Sequence, residues 1–444
     1  FPWRIGLGTP MLVASLLLSL GTGFLFGLVP AVSISARNLK AFLSEGNRSS
    51  PGTKRQRIRR GLVVAQVALA LMLLVVMALL VQSMIGLLHA PAGFKPESTL
   101  VMDISLPSAK YPDATRRATF FGLLFERLNG LPGAEAVGSA TTVPLEGSFV
   151  GPVTVVGRRN QPDPGYLAGF DRVRGQYFRA MGIRVLRGRD FSEKDSFTNS
   201  PSVCIFNEEL VEDVFPAEDP LGKRVGFWGN EWEIVGVVAN TRNNGLDQEA
   251  HNGRIYFPHF QLAVERTESL IVRAHGDPSG LADAIRKAVL QIDPDQPVAY
   301  TRTLRQVVDR SIADRRLTVQ VLSLFATLAL GLAVIGLYAV LAYDVTQRMN
   351  EIGIRMALGA QRADILRLVL KNGSRLTLVG VGTGLLGALA ATRVIQHQLY
   401  HVSAADPLTF AVVALSVIGV ALLASWLPAH RATKVDPMTA LRYE

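Results

Sequence analysis

Of 444 residues only one, Cys204, is a cysteine. That excludes an internal disulfide, so any domain in an oxidising compartment must be held by its own core. Cys204 lies between Val203 and Ile205, the setting of a small buried hydrophobe. Charge is scarce as well: 18% of residues are charged, against about a quarter in soluble domains. No G-x-x-x-x-G-K-[ST] loop is present. Gly222-Lys223 has Ala217 where the earlier glycine would stand, which excludes binding ATP through that motif. There is no H-E-x-x-H, and His397 and His401, four apart, have no third ligand nearby. No nucleophile stands with a base at hand, and nothing in the residues describes an enzyme.

What the chain has in quantity is apolar sequence, 49% of residues with a mean hydropathy of +0.26. Five runs, residues 10–33, 61–88, 317–343, 374–395 and 407–428, contain no acidic residue. Each is long enough for the ~20 helical residues that cross a bilayer. Residues 37–60, 344–371 and 429–444 together hold sixteen lysines and arginines against six acidic residues, an excess equal to the whole chain's +10. These are alternate connections between the runs, so the basic excess lies on one side, assigned to the cytoplasm. Its distribution fits anionic headgroups and topology rather than nucleic acid. Residues 91–316 and 396–406 then lie outside. The first run lacks a cleavage site and is too long for a signal peptide. A start at Phe1 rather than Met is expected of a segment cut from a longer product.

Between residues 91 and 316 the pattern is α/β. Residues 100–106 alternate as a strand. A helix opened by Pro112 and Asp113 follows, with Phe120, Phe121, Leu124, Phe125 and Leu128 on one face, and then a strand over 136–143. The order recurs: a strand over 269–274, a helix carrying Leu281, Ile285, Val289 and Ile292, and a strand over 297–301. Two βαβ units predict a sheet with helices on one face. Residues 151–259, richer in short strands (153–156, 203–207, 232–238), read as a subdomain inserted into the first. Leu304, Val307, Val308, Ser311 and Ile312 share a helical stripe that runs into the third apolar run without Gly or Pro. This predicts one long stalk helix. Leu427-Pro428-Ala429 matches Val29-Pro30-Ala31, and at the same offset Gly419 falls on Gly21, Asp436 on Asn38 and Leu441 on Leu43. The first run therefore reads as the last helix of an earlier, similar unit.

The stretch Gln347-Arg348-Met349-Asn350-Glu351-Ile352-Gly353-Ile354-Arg355-Met356-Ala357-Leu358-Gly359-Ala360 follows the third run. Gly353 and Gly359 permit close backbone approach, and Glu351 and Arg355 stand in the favourable order for a helical ion pair. Ile352, Ile354, Met356 and Leu358 are apolar on a short cytoplasmic loop. With Tyr177-Phe178-Arg179-Ala180-Met181-Gly182-Ile183, Gly188-Arg189-Asp190-Phe191 and the ending Asp436-Pro437-Met438-Thr439-Ala440-Leu441-Arg442-Tyr443-Glu444, this stretch resembles the MacB/FtsX-like permeases of ABC transporters. The likeness is to the duplicated, fused two-unit bacterial form, N-terminally truncated, and it extends over essentially the whole chain.

The resemblance implies a membrane α-helical fold of five transmembrane helices with an inserted extracytoplasmic α/β domain of two subdomains. Residues 1–60 would be the last helix of a preceding unit with a cytoplasmic linker. Residues 61–90 would be a span, 91–316 a MacB-like periplasmic domain with 151–259 inserted, and 317–444 an FtsX-like permease domain. Residues 346–366 look like a coupling helix that docks on a separate cytoplasmic ABC ATPase, with Arg348, Glu351 to Leu358, Gly359 and Ala360 in contact. ATP would be bound by that partner, with no cofactor in this chain. The outer domain would be moved by mechanotransmission in an export system of the bacterial inner membrane. Membrane lipids, a second permease unit and a periplasmic adaptor are the other expected partners; nucleic acid is not. The alternative is a non-transporting interaction or sensor protein that regulates an envelope enzyme. Gly380, Gly384 and Ala388, like Gly23 and Gly27, form small-residue stripes suited to close helix packing.

Overall fold

The computed structural model describes residues 52–158, 165–196, 200–246, 253–259, 261, 266–347, 349–358 and 361–433. Among these, four helices are long and apolar enough to cross a membrane: Gln56–His89, Ala313–Gln347, Arg362–Gln398 and Pro407–Arg431. The run at residues 10–33, with Gly23 and Gly27, lies outside the described residues.

The first helix, α1, spans Gly52–His89. Beyond it the chain folds as β1 (Thr99–Ser105), α2 (Ala114–Asn129) and β2 (Ala134–Ala140). The second such unit comprises β10 (Thr267–Ala274), α5 (Ala282–Ile292) and β11 (Val298–Thr303). The four strands lie in the order β11-β1-β10-β2 with antiparallel neighbours, so each βαβ unit is split by a strand of the other. Asp113 caps α2 by accepting from the Arg116 amide at 2.8 Å. Phe120, Phe121, Leu124, Phe125 and Leu128 of α2 share one core with Ile285 and Val289 of α5 and with Leu100, Met102, Val137 and Leu270 of the strands. Both helices thus cover one face.

The chain between these units supplies β3 (Phe149–Val155), β4 (Tyr166–Gly175), α3 (Tyr177–Met181), β5 (Val185–Gly188) and β6 (Val203–Asn207). It continues as α4 (Glu208–Val214), β7 (Arg224–Phe227), β8 (Asn230–Val238) and β9 (Arg254–Pro258). The pairings β4–β3, β3–β7, β7–β8, β8–β6, β6–β9 and β9–β4 close on themselves. Six strands therefore form a ring, which removes free edges. Alternate residues of every ring strand, among them Val153, Phe170, Cys204, Phe206, Phe227, Ile234 and Phe257, enter one core that Leu210 and Val211 of α4 join. Cys204 is buried and free there.

The C-terminal end of β4 also pairs with β2, Gly138 opposite Gly175. One hydrogen-bonded sheet of eleven strands thus runs from the split βαβ units into the ring. Val101 and Ile271 on the opposite sheet face, Tyr177 and Phe178 of α3, and Ile205 and Tyr256 of the ring make a further core. Buried ion pairs brace the domain. Arg254 binds Asp171 and donates to Ser148 Oγ at 2.8 Å. Arg302 reaches Asp103 at 2.9 Å and also Glu146. His259 faces Glu268, whose second oxygen accepts from Ser139 Oγ at 2.7 Å.

The predicted stalk is two helices rather than one. Helix α6 (Leu304–Ser311) begins with a capping box between Thr303 and Gln306. Ile312 leaves the helical path at φ −108°, ψ 1°, and α7 (Ala313–Gln347) starts afresh. The cause is side-chain anchoring: Ile312 is 4% exposed in a cluster with Leu87, Leu246 and Tyr400.

Candidate coupling site

After α7 the chain makes a short helix, α8 (Met349–Ala357), then α9 (Arg362–Ile395) and α10 (Pro407–Ala432). The predicted stretch 346–366 is therefore the end of α7, all of α8 and the first turn of α9. At the start of α9 the Asp364 carboxylate accepts from the Gln361 amide at 3.1 Å. Asp406 caps α10 by accepting from the Thr409 amide at 3.1 Å, with Pro407 in its first turn.

Helix α8 has two unlike faces. Ile352 is 3% exposed and packs with Ile365, Val369 and Ala429, flanked by Val345 and Met356. In contrast Met349 is 40%, Ile354 48% and Leu358 82% exposed. Arg355 donates to Glu351 Oε1 at 2.6 Å across one helical turn, both side chains half exposed. The Leu358 amide continues the helix by donating to the Ile354 carbonyl at 3.0 Å. Gly353 and Ala357 lie within α8, whereas Arg348, Gly359 and Ala360 are outside the described residues. One side of α8 is thus anchored to the feet of the long helices, while the other presents bare aliphatic carbon on the basic side of the chain. Covering a side chain such as Leu358 contributes ~1.5–3 kcal/mol.

Gly380, Gly384 and Ala388 lie along the face of α9 that meets α1. A methyl group on Gly380 would stand 2.8 Å from Val67 Cβ and 3.2 Å from the Val64 carbonyl oxygen. On Gly384 it would stand 2.9 Å from the Ala68 carbonyl oxygen. Ala388 is fully buried in the same core. Absent side chains here let two backbones touch.

At the other end of the bundle is a joint that no local sequence signal marked. Arg242, in the loop after β8, donates to the Tyr400 hydroxyl at 2.6 Å and lies 5.2 Å from the centre of its ring. It also bonds the Leu246 carbonyl. Tyr400 belongs to the loop between α9 and α10, and its amide donates to Ser83 Oγ of α1 at 2.8 Å. Leu87, Leu246, Ile312 and Tyr400 pack together at the same place. The tops of α1 and α7 and the α9–α10 loop therefore meet the outer domain in one cluster, at the residue where α6 and α7 part. The Arg242 to Tyr400 contact spans 158 residues, which explains why periodicity could not reveal it.

Residues 61–291 match the MacB-like periplasmic core domain family, and residues 323–437 match the FtsX-like permease C-terminal family. The first match covers more than half of the chain, and the chain belongs to that family, as a MacB/FtsX-like permease. The macrolide export ATP-binding/permease protein MacB of Hahella chejuensis is 30% identical over 288 residues, 61% of this chain and 42% of that protein. A Bacillus subtilis ABC transporter permease, YvrN, is 26% identical over 289 residues, 60% of this chain and 68% of that protein. The chain thus spans less than half the length of the MacB relatives it matches. The crystal structure of the periplasmic region of MacB from Actinobacillus actinomycetemcomitans overlies 50% of this chain and 95% of its own, at 15% identity and a TM-score of 0.33.

Proposed function

We propose that this chain is the permease component of an ABC-type export or mechanotransmission system, coupling a separate cytoplasmic ATPase to movement of an extracytoplasmic domain. The supporting observation is the two-faced helix α8. Ile352 fixes it to the bundle while Ile354 and Leu358 stand bare on the basic side. In this reading Glu351, Arg355, Gly353, Met356 and Ala357, with Arg348, Gly359 and Ala360 beside them, shape the surface the ATPase grips. ATP is bound by that partner and not by this chain.

Displacement of α8 would move α7, and α7 would turn the outer domain about Ile312 and the Arg242–Tyr400 joint. No substrate need pass between the helices. Residues 10–33 would supply a fifth span, placing residues 91–316 outside the inner membrane. Residues 1–60 would then close a preceding permease unit. Within the outer domain the split βαβ sheet and the ring would be its two parts.

The test is ATP hydrolysis by the partner ATPase with and without this permease in lipid nanodiscs. Wild-type permease should stimulate hydrolysis, and Leu358→Asp should abolish the stimulation while the protein stays folded. Equal stimulation by wild type and variant would refute the assignment of α8.

A further inference from the structure

Beneath the outer domain lies a cavity of about 640 Å³, within the 300–1,000 Å³ or so typical of small-molecule sites. Four chain segments wall it, and three of them, residues 91–95, 182–184 and 239–242, are stitched by backbone hydrogen bonds. The Lys95 amide donates to the Met181 carbonyl at 2.9 Å, Ala239 to Arg184 at 2.9 Å, and Arg242 to Ala92 at 3.0 Å. Each of these three brings one cation to the lining: Lys95, Arg184 and Arg242. One carboxylate, Glu208, faces them. Lys95 and Arg184 are exposed and make no ion pair with any described residue. Arg242 is held by Tyr400 and Leu246.

The wall is built for close approach. Gly93 sits at φ +80°, and a methyl group there would collide with the Asn240 carbonyl and the Thr241 backbone. The Lys95 stem lies over Gly182, its Cγ 2.9 Å from where a side chain would start.

Location identifies the ligand's source. Ala92 follows the end of α1 at His89 by three residues, and Arg242 touches the loop between α9 and α10. The cavity is therefore level with the ends of the spans, where headgroups lie. Apart from the three basic connections, the chain's charges balance, so three cations around one carboxylate are a local departure on the side opposite the basic loops.

We propose that this cavity binds the phosphate of an anionic lipid headgroup at the outer surface of the membrane. Lys95 and Arg184 pair with the phosphate, Arg242 completes the cradle, and Glu208 opposes net anionic charge. The site couples lipid to the joint, because Arg242 belongs to both.

The full chain in neutral detergent would be titrated with dihexanoyl phosphatidylglycerol, dihexanoyl phosphatidylcholine and inorganic phosphate, with calorimetric detection. The anionic lipid should bind at one site, weakening with salt, and more tightly than either of the others. The double variant K95A/R184A removes two exposed cations and should weaken it about thirtyfold. Glu208→Gln should tighten it, a change that misfolding would not mimic. Equal binding of inorganic phosphate would mean a free anion and overturn the lipid assignment; affinity unchanged in K95A/R184A would overturn the site. Neither result bears on the ATPase coupling, which needs no lipid selectivity.

Discussion

The outer domain and the helical bundle solve the problem of polar groups in opposite ways. The outer domain buries charges and gives them partners: Asp171 pairs with Arg254, Arg302 with two carboxylates, and Glu268 faces His259 and Ser139. In the bundle, hydroxyls turn back on their own helices. Thr377 donates to the Gly373 carbonyl at 3.0 Å and Ser425 to Ala421 at 2.7 Å. Helices α1 and α9 are held by shape, Gly380 and Gly384 against Val67 and Ala68. Buried ion pairs with fixed geometry tie strands from distant parts of the chain into one body. Between the long helices the side-chain cross-links are neutral or singly charged, Thr409 donating to Gln82 at 3.2 Å and Arg431 to the Tyr338 hydroxyl at 2.8 Å. The molecule thus joins a domain tied by buried ion pairs to a bundle held by shape, and the two meet at Ile312, Arg242 and Tyr400.

The comparison can be broken most severely at the buried pair. Arg254→Met strands Asp171, fully buried, without its partner. It should destabilise the outer domain by about 3–5 kcal/mol, read as faster hydrogen exchange in β4 and β9 of the full chain. The corresponding insult to the bundle is Gly384→Leu. It forces α9 away from Ala68 and should cost about 1–3 kcal/mol in thermal unfolding in detergent, leaving exchange in the ring unchanged.

At the joint, Tyr400→Phe removes a hydrogen bond from a guanidinium, worth ~1.5–3 kcal/mol. A double-mutant cycle with Arg242→Ala should return a coupling energy of that order. A cycle that sums to zero would remove the joint from the account.

Acid offers a graded probe. Burial alone would raise the Glu268 carboxyl, but His259, Ser139 and Arg174 together hold it below its ordinary value of 4.5. Its folded pKa is depressed, so the stability it contributes is present above pH 4.5 and is lost as pH falls through the lower folded value. Acid unfolding as pH falls below 4.5 should therefore be steeper in wild type than in Glu268→Gln. The smallest effect is expected at the α2 cap, where Asp113→Ala should cost ~1 kcal/mol.

Much of this division was legible in the residues. Four apolar runs appear as long helices, and both βαβ units lie where alternation and the Phe120–Leu128 stripe predicted them. Those signals are local, since a strand or helix face repeats within a few residues. The closure of the ring was not legible, because it depends on β9 lying parallel to β4 across more than eighty residues. The break at Ile312 escaped for the same reason. Nothing in the stretch 304–316 disfavours helix, and the kink comes from Leu87, Leu246 and Tyr400 packing on Ile312. In the coupling stretch the alternation of Ile352 with Ile354 and Leu358 was visible. Which of them anchors and which stays bare required knowing where Ile365, Val369 and Ala429 stand.

The central claim is that the outer domain turns as a body about Ile312 when α8 is displaced. Spin labels at Trp228 in the outer domain and Leu324 on α7, both exposed, would report their separation by pulsed electron resonance in the permease–ATPase complex. The account predicts one distance distribution without nucleotide and a displaced one with ATP trapped, the displacement vanishing in Leu358→Asp. A single unchanged distribution while the ATPase turns over would contradict it.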